Sequence, residues 1–121
     1  MALPKHRPLN VTRVYAHMAD SSTAGSAFTV APVRGKIIKV GSIIHAAVSS
    51  ADTAITMEIN GTAVTGGGWT IAYSGAAAGD VDTAVPTAAN FVVEDDAIEF
   101  ISDGAGSSTV PTTFFADIQA M

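Results

Sequence analysis

The side chains that could do chemistry are three histidines, eleven carboxylates and many hydroxyls. Nucleophilic catalysis needs a serine or threonine beside a histidine that an acid orients. His17 and His45 occupy alternating positions of predicted strands, His6 lies near the start of the chain, and no G-x-S-x-G motif marks a nucleophile. Ordinary strand histidines explain this pattern better than a catalytic base does. We therefore predict that the chain is not an enzyme.

Loop carboxylates are the next candidates, as oxygen ligands for calcium. They are Asp80, Asp82, Glu94, Asp95 and Asp96. The ordered D-x-D-x-D-G pattern is absent, and acids are common in turns because they accept backbone hydrogen bonds. Glu94 and Glu99 would need a cleft to act as a glycosidase pair. No cysteine is present, so no thiolate can hold a metal. The sequence predicts no metal and no cofactor.

Aromatic side chains could instead bind a sugar by stacking, and the candidates are Trp69, Tyr73 and Tyr15. Trp69 and Tyr73 alternate with small residues around Ile71, however, which predicts one buried strand face. Packing in the core is therefore the better account of them. Residues 66–68 are three glycines, but no lysine and helix follow to complete a phosphate cradle.

The elements that must position these residues read as short strands. Residues 53–73 contain two alternating apolar runs separated by Asn60-Gly61, the dipeptide best suited to a type I′ turn. Residues 35–48 form the longest candidate strand, with Ile38, Val40 and Ile44 on one side and a bulge or bend expected at Gly41. About eight such strands, separated by Gly, Ser, Asp and Pro turns, predict an all-β fold, an antiparallel β-sandwich or jelly-roll-like domain.

The first nine residues are predicted to be an extended basic arm outside this domain, so that residues 10–121 form one β-sandwich domain. Prolines lack the N–H that a central strand requires, which keeps this segment out of the sheets. We expect the arm to contact a partner or a neighbouring subunit. Its candidate contact residues are Pro4, Lys5, His6, Arg7 and Pro8.

Charge is distributed unevenly along the chain. All six basic residues lie in the first 39 positions, where Asp20 is the one acid, and the other ten acids follow. This segregation suggests a molecule whose two ends meet different partners. The alternatives are chance and pairing of the two regions within one subunit. The isoelectric point of about 4.8 argues against nucleic-acid binding by the body, which leaves only the arm as a candidate.

The composition also bears on assembly. Hydrophobic residues make up 48% of the chain and charged residues only 14%, against roughly 25% charged in an average soluble domain. Few charges are available to cover a monomer, which favours an oligomer over a monomer with a small-residue surface. No run of about 20 apolar residues is present, so we predict no membrane partner.

Several phrases resemble the accessory head proteins of tailed bacteriophages, the capsid decoration or cement proteins. They are PVRGKIIKVGSIIHAAVSSADTAITMEINGTAV, AAAGDVDTAVPTAAN and VVEDDAIEFISDGAGSSTVP, within about residues 32–111. That group shares a G-x-I strand, an ADT turn, an N-G hairpin and a late V-x-x-G-D-x-I-x-F strand. Here the late strand carries Asp95 where glycine is typical.

The resemblance implies a non-catalytic β-sandwich, often a homotrimer, on the outer capsid surface of a virion, made in the host cytoplasm. Its partners would be the major capsid protein and other copies of itself. The arm residues would then contact the capsid or a neighbouring subunit. The alternative function is a host- or glycan-binding module on a phage head or tail fibre, because similar phrases occur there too.

Overall fold

The structure is a computed structural model that describes residues 10–121. This part of the chain forms ten strands and no helix. The strands are β1 (Val11–Met18), β2 (Gly25–Val30), β3 (Gly35–Ile44), β4 (Thr53–Ile59), β5 (Thr62–Ala63), β6 (Trp69–Ile71), β7 (Val81–Ala84), β8 (Phe91–Val92), β9 (Ala97–Ser102) and β10 (Thr112–Ala120). Over residues 10–121 there is accordingly no helix that is long and apolar enough to cross a membrane.

Two antiparallel sheets pack face to face. The first sheet has the order β1-β10-β3-β7, with β8 also paired to β3, and the second has the order β2-β9-β4-β5, with β6 also paired to β4. The first four strands alternate between the two sheets. In the second sheet β9 lies between β2 and β4, and in the first sheet β10 lies between β1 and β3. The predicted all-β fold, an antiparallel β-sandwich, is confirmed, and the jelly-roll-like arrangement stays a prediction. The separation of an arm at residues 1–9 lies outside the described residues and stays a prediction.

The predicted hairpin is present at β4 and β5. Asn60 and Gly61 connect the two strands with φ angles of 49° and 84°, the positive values that a type I′ turn requires at both central positions. Ile55, Met57 and Ile59 point into the core as the alternation indicated.

A residue in the left-handed conformation also occurs in the turn after β8. There Asp95 has a φ of 74°, so the turn keeps a conformation that glycine favours although an aspartate occupies it.

The core between the sheets centres on three aromatic rings. Phe100 of the second sheet stacks on Phe114 of the first, with ring centroids 5.1 Å apart. Trp69 meets both rings edge-on, at 6.3 Å and 6.2 Å. Its indole N–H donates a hydrogen bond across the core to the Ser42 hydroxyl at 2.9 Å. This bond satisfies the polar end of a large side chain that is otherwise in apolar surroundings.

The prediction for β3 was wrong in its length and in the position of its irregularity. The strand ends at Ile44, and its register shifts where Ile37 pairs with Ile118 but Lys39 pairs with Asp117. Ile38 is therefore the extra residue. Ile37, which strict alternation with Ile38 and Val40 places on the opposite face, is fully buried. A bulge inserts one residue, so it reverses the inside and outside positions that precede it.

Gly41 has another role in β3. A Cβ atom there would lie 2.5 Å from the Phe115 ring and 2.5 Å from the Asp82 carbonyl oxygen. The missing side chain lets the Phe115 ring lie across the strand.

The prediction that Tyr73 packs in the core was wrong. Tyr73 is 49% exposed, because β6 ends at Ile71 and the chain leaves the sheet before it reaches Tyr73.

Candidate functional site

The residues predicted to make contacts with the capsid or a neighbouring subunit are Pro4, Lys5, His6, Arg7 and Pro8. They lie outside the described residues, and their assignment stays a prediction.

The loop carboxylates do not form one cluster. Asp82 pairs with Ser42 at one end of β3, whereas residues 94–96 follow β8, which pairs with Gly35 and Lys36 at the other end. Burial, with a contribution from Asp80, raises the pKa of Asp82. Among residues 10–121, no group of three or more His, Asp or Glu side chains is placed to hold a metal ion.

His17 on β1 and His45, which follows the end of β3, lie side by side on the exposed face of the first sheet. His17 Nδ1 is 3.4 Å and His45 Nε2 is 3.0 Å from the hydroxyl oxygen of Thr113, and the ring centroids are 6.2 Å apart. Within the described part of the chain neither ring is hydrogen-bonded to a carboxylate. The arrangement thus does not contain the acid that orients the base in a catalytic triad.

The three aromatic candidates do not form one platform. Trp69 is 9% exposed and belongs to the core, as its alternation with Ile71 predicted. Tyr15 lies on β1 of the first sheet, whereas Tyr73 follows β6 of the second sheet. A platform built from these residues would need their exposed rings on one surface. The structure brings no such pair together from these three residues.

The surface with the most distinctive chemistry is the outer side of the first sheet, here called the basic face. Its outward side chains follow from the strand register: Arg13, Tyr15 and His17 on β1; Thr113, Phe115, Asp117 and Gln119 on β10; Lys36, Lys39 and Ile43 on β3; Val81 on β7; and Phe91 on β8. Three exposed cations share this face with exposed apolar side chains, among which Tyr15 and Phe91 are 60% and 59% exposed.

Asp117 is the one carboxylate on the basic face, and it is held by Arg13. The Arg13 guanidinium donates two hydrogen bonds to it, Nε to Oδ1 at 2.6 Å and a terminal nitrogen to Oδ2 at 2.9 Å. The same guanidinium lies 4.2 Å from the centre of the Phe115 ring, a distance at which a cation is attracted to the ring. The hydrogen bond to Asp117 raises the pKa of Arg13. Asp117 therefore presents no unpaired negative charge to a partner.

The outer side of the second sheet has the opposite sign. Its charged side chains are Glu58 on β4 and Glu99 on β9, which face each other in the register. Most of the remaining acids lie in the turns and loops between strands. The charge asymmetry along the sequence therefore becomes an asymmetry between two faces of the body. The alternative, pairing within one subunit, holds for Arg13 and Asp117, the one ion pair among the described residues.

Sequence reasoning did not identify the basic face. Arg13, Lys36 and Lys39 come from two strands that are neighbours of β10 rather than of each other. Only the register places Arg13 and Lys39 in one row, on either side of Asp117, with Lys36 in the next outward-facing row, opposite Gln119. The available signal was the concentration of basic residues in the first third of the chain, which indicated that a basic surface exists without indicating which side chains share it.

Comparison with known proteins shows the fold. No family model matches the chain, and no curated protein matches it. Among solved structures, it is similar to a chain of the "Cyanophage Pam1 capsid asymmetric unit", with a TM-score of 0.51 and 14% identity, covering 100% of this chain and 93% of that one. The two chains thus have nearly equal lengths and share a fold.

Two enzyme structures also contain a similar region. One is exo-beta-1,3-galactanase from Phanerochaete chrysosporium, with a TM-score of 0.44, 16% identity, and coverage of 88% of this chain and 27% of that one. The other is the MgGH51 α-L-arabinofuranosidase, with a TM-score of 0.43, 14% identity, and coverage of 83% and 18%. Both TM-scores are below 0.5, and these likenesses carry no functional argument.

Proposed function

We propose that this chain is a non-enzymatic structural protein of a phage virion, which binds the outer surface of the capsid through its basic face and reinforces contacts between major capsid protein subunits. The observation that carries the proposal is the basic face itself. It combines exposed cations with exposed apolar rings on a sheet surface, and its single carboxylate is already paired.

A face of this kind suits a macromolecular partner better than a small molecule. Small ligands are held in concave pockets that bury most of their surface, whereas the basic face is the side of a sheet. Protein interfaces are enriched in aromatic and arginine side chains and depleted of unpaired acids at their centre. Tyr15, Arg13 and Phe115 provide this composition in adjacent rows.

The shared fold supports the capsid as the partner. The similar chain belongs to a capsid asymmetric unit, and the likeness extends over nearly the whole of both chains. An acidic region of the capsid surface would complement the basic face and speed the encounter. A protein that binds only assembled neighbours shifts the equilibrium towards the intact shell, and this is how attachment would cement the capsid.

Co-sedimentation with undecorated capsids tests the proposal. The variant Lys36→Gln/Lys39→Gln removes two positive charges from the basic face, and we expect at least about tenfold weaker attachment at low salt. The matched control is Thr56→Glu/Thr70→Glu, which makes the same change in net charge on the outer side of the second sheet, where both threonines are exposed. Equal weakening by both variants would show that net charge, and not the basic face, governs attachment.

A homotrimer and a contributing arm are the finer parts of the proposal. The low charge content supports an oligomer, and light scattering should report a trimer. A chain lacking residues 1–9 should keep its strand content but bind capsids more weakly, because it loses Lys5 and Arg7. A clean monomer on and off the capsid would exclude the trimer, and undiminished attachment at every salt concentration would exclude the arm.

The host- or glycan-binding module is the other candidate function. No observation on the described residues favours it, since Trp69 is in the core and the exposed tyrosines lie on different sheets. A glycan array distinguishes the two functions: binding of a glycan by the isolated protein would support the module and count against a purely structural role.

A further inference from the structure

A pocket lies at the end of the basic face that carries Lys36 and Phe91. Its volume is about 360 Å³, and it is lined by Arg34, Gly35, Phe91, Val92, Val93, Asp96 and Met121. Phe91, Val93 and Met121 are 59%, 54% and 72% exposed. Three large apolar side chains around one open pocket form a surface that costs free energy while it faces water.

Three consecutive carboxylates, here called the acidic rim, belong to the segment that lines this pocket: Asp96 lines it, and Glu94 and Asp95 connect the lining residues Val93 and Asp96. Asp96 accepts hydrogen bonds from the Val93 backbone N–H and the Asn60 side-chain amide, both at 2.8 Å. These bonds, the one from Val93 first, lower the pKa of Asp96 and keep its carboxylate ionised. Glu94 and Asp95 are exposed, and within residues 10–121 their carboxylates make no hydrogen bond or ion pair. Among the residues that the structure describes, Arg34 is the one cation that lines the pocket.

The chain enters the described structure at the same end of the first sheet. The Ala120 N–H donates to the Asn10 carbonyl oxygen at 2.8 Å, and the Met121 N–H donates to the Arg34 carbonyl oxygen at 3.1 Å. From Asn10 to β8 the path crosses three strand spacings, roughly 14 Å at about 4.8 Å each. Nine extended residues span roughly 30 Å. Residues 1–9 are therefore long enough to reach the pocket on their own subunit.

We propose that residues 1–9 dock into this pocket on the same subunit, with Lys5 and Arg7 beside Glu94 and Asp95 and with the prolines against Phe91. Proline-containing segments bind aromatic-lined grooves because little conformational entropy is lost on binding. The opposite charges of arm and rim select this position over the rest of the basic face. Residues 1–9 are covalently joined to the domain that carries the pocket, which gives them a high effective concentration there. The subunit's own arm is therefore favoured over the arm of a second copy.

Docking would add two cations to the end of the basic face and neutralise the acidic rim beside it. Docking of residues 1–9 would occur in the isolated protein and would not depend on capsid attachment. It would nevertheless explain how an arm of nine residues contributes to attachment: Lys5 and Arg7 would be held at the margin of the basic face.

The absence of cysteine from the chain allows a clean test by paramagnetic relaxation. A nitroxide label is placed on the Ala2→Cys variant of the full chain, and amide signals are recorded by NMR in a sample diluted with unlabelled protein. We expect selective broadening of residues 91–96 and of Arg34. In a mixture where the nitroxide and the nitrogen-15 are on different copies, this broadening should disappear. No selective broadening in the first sample, or equal broadening in both, overturns the proposal.

Charge variants sharpen the test. Glu94→Gln/Asp95→Asn should lower the equilibrium constant for docking about fivefold, as expected for the loss of two exposed charge contacts. The matched control, Glu58→Gln/Glu99→Gln, removes the same charge from the outer side of the second sheet and should leave the broadening unchanged. If the control reduces the broadening as much as the rim variant does, the arm responds to net charge alone and does not bind at the pocket.

Discussion

The Arg13–Asp117 pair permits the most quantitative prediction about the basic face. Exposed ion pairs contribute less than about 1 kcal/mol, whereas breaking a buried pair costs about 3–5 kcal/mol. This pair is intermediate, because the side chains of Arg13 and Asp117 are 42% and 13% exposed. Arg13 also covers Phe115, which adds about 0.5–1 kcal/mol. We therefore expect Arg13→Ala to lower the free energy of unfolding by about 2 kcal/mol.

Asp117→Ala should cost less, about 1 kcal/mol, because the freed guanidinium can turn to water whereas a carboxylate left behind at this depth cannot. The two substitutions should be coupled by about 1–1.5 kcal/mol in a double-mutant cycle. Urea denaturation provides the assay, followed through the fluorescence of Trp69, the single tryptophan of the chain. In thermal melts each kcal/mol should correspond to roughly 3–6 °C in a domain of this size.

Arg34→Ala is the matched control, because Arg34 is exposed and makes no ion pair within the described residues. It should change stability by less than about 0.5 kcal/mol. If Arg13→Ala is no more destabilising than Arg34→Ala, or if the coupling is below about 0.3 kcal/mol, the ion pair does not stabilise the fold as expected. The pair also separates stability from function: Asp117→Ala should weaken the fold yet tighten capsid attachment at low salt, since it removes the one negative charge of the basic face.

Three other predictions concern the fold. Gly41→Ala should lower the free energy of unfolding by about 2 kcal/mol or more, because its Cβ would meet the backbone oxygen of Asp82 at 2.5 Å; a neutral effect in urea would contradict this packing. Ser42→Ala should cost about 1–3 kcal/mol by leaving the buried Trp69 N–H without an acceptor, and adding Trp69→Phe should show coupling between the two positions. Hydrogen bonds, first that from Ser22, lower the pKa of Asp20 from 3.8 to about 2. The stability that this carboxylate contributes is present above pH 3.8 and is lost as the pH falls through about 2; melting temperatures of Asp20→Asn should therefore fall less over this window than those of the wild-type chain.

Local pattern was sufficient to predict the fold class and much of the core. The alternation around Ile55, Met57 and Ile59, and the Asn60-Gly61 turn, depend on interactions within a few residues of one another. Side-chain periodicity and turn chemistry are properties of the backbone itself, so they can be read from the sequence. The same holds for the opposed faces of β9, where Ile98 and Phe100 are buried and Glu99 is not.

Only the tertiary structure decided which residues share the basic face. β1 and β3 are joined through β10, which begins 68 residues after the end of β3. The pairing places Arg13, Asp117 and Lys39 in one row. The bulge at Ile38 was equally hidden, because β3 alternates in either register and the choice depends on how Ile37 and Val40 fit against β10. Periodicity fixes the two sides of a strand, but packing against distant partners decides which side is buried and which cations end up together.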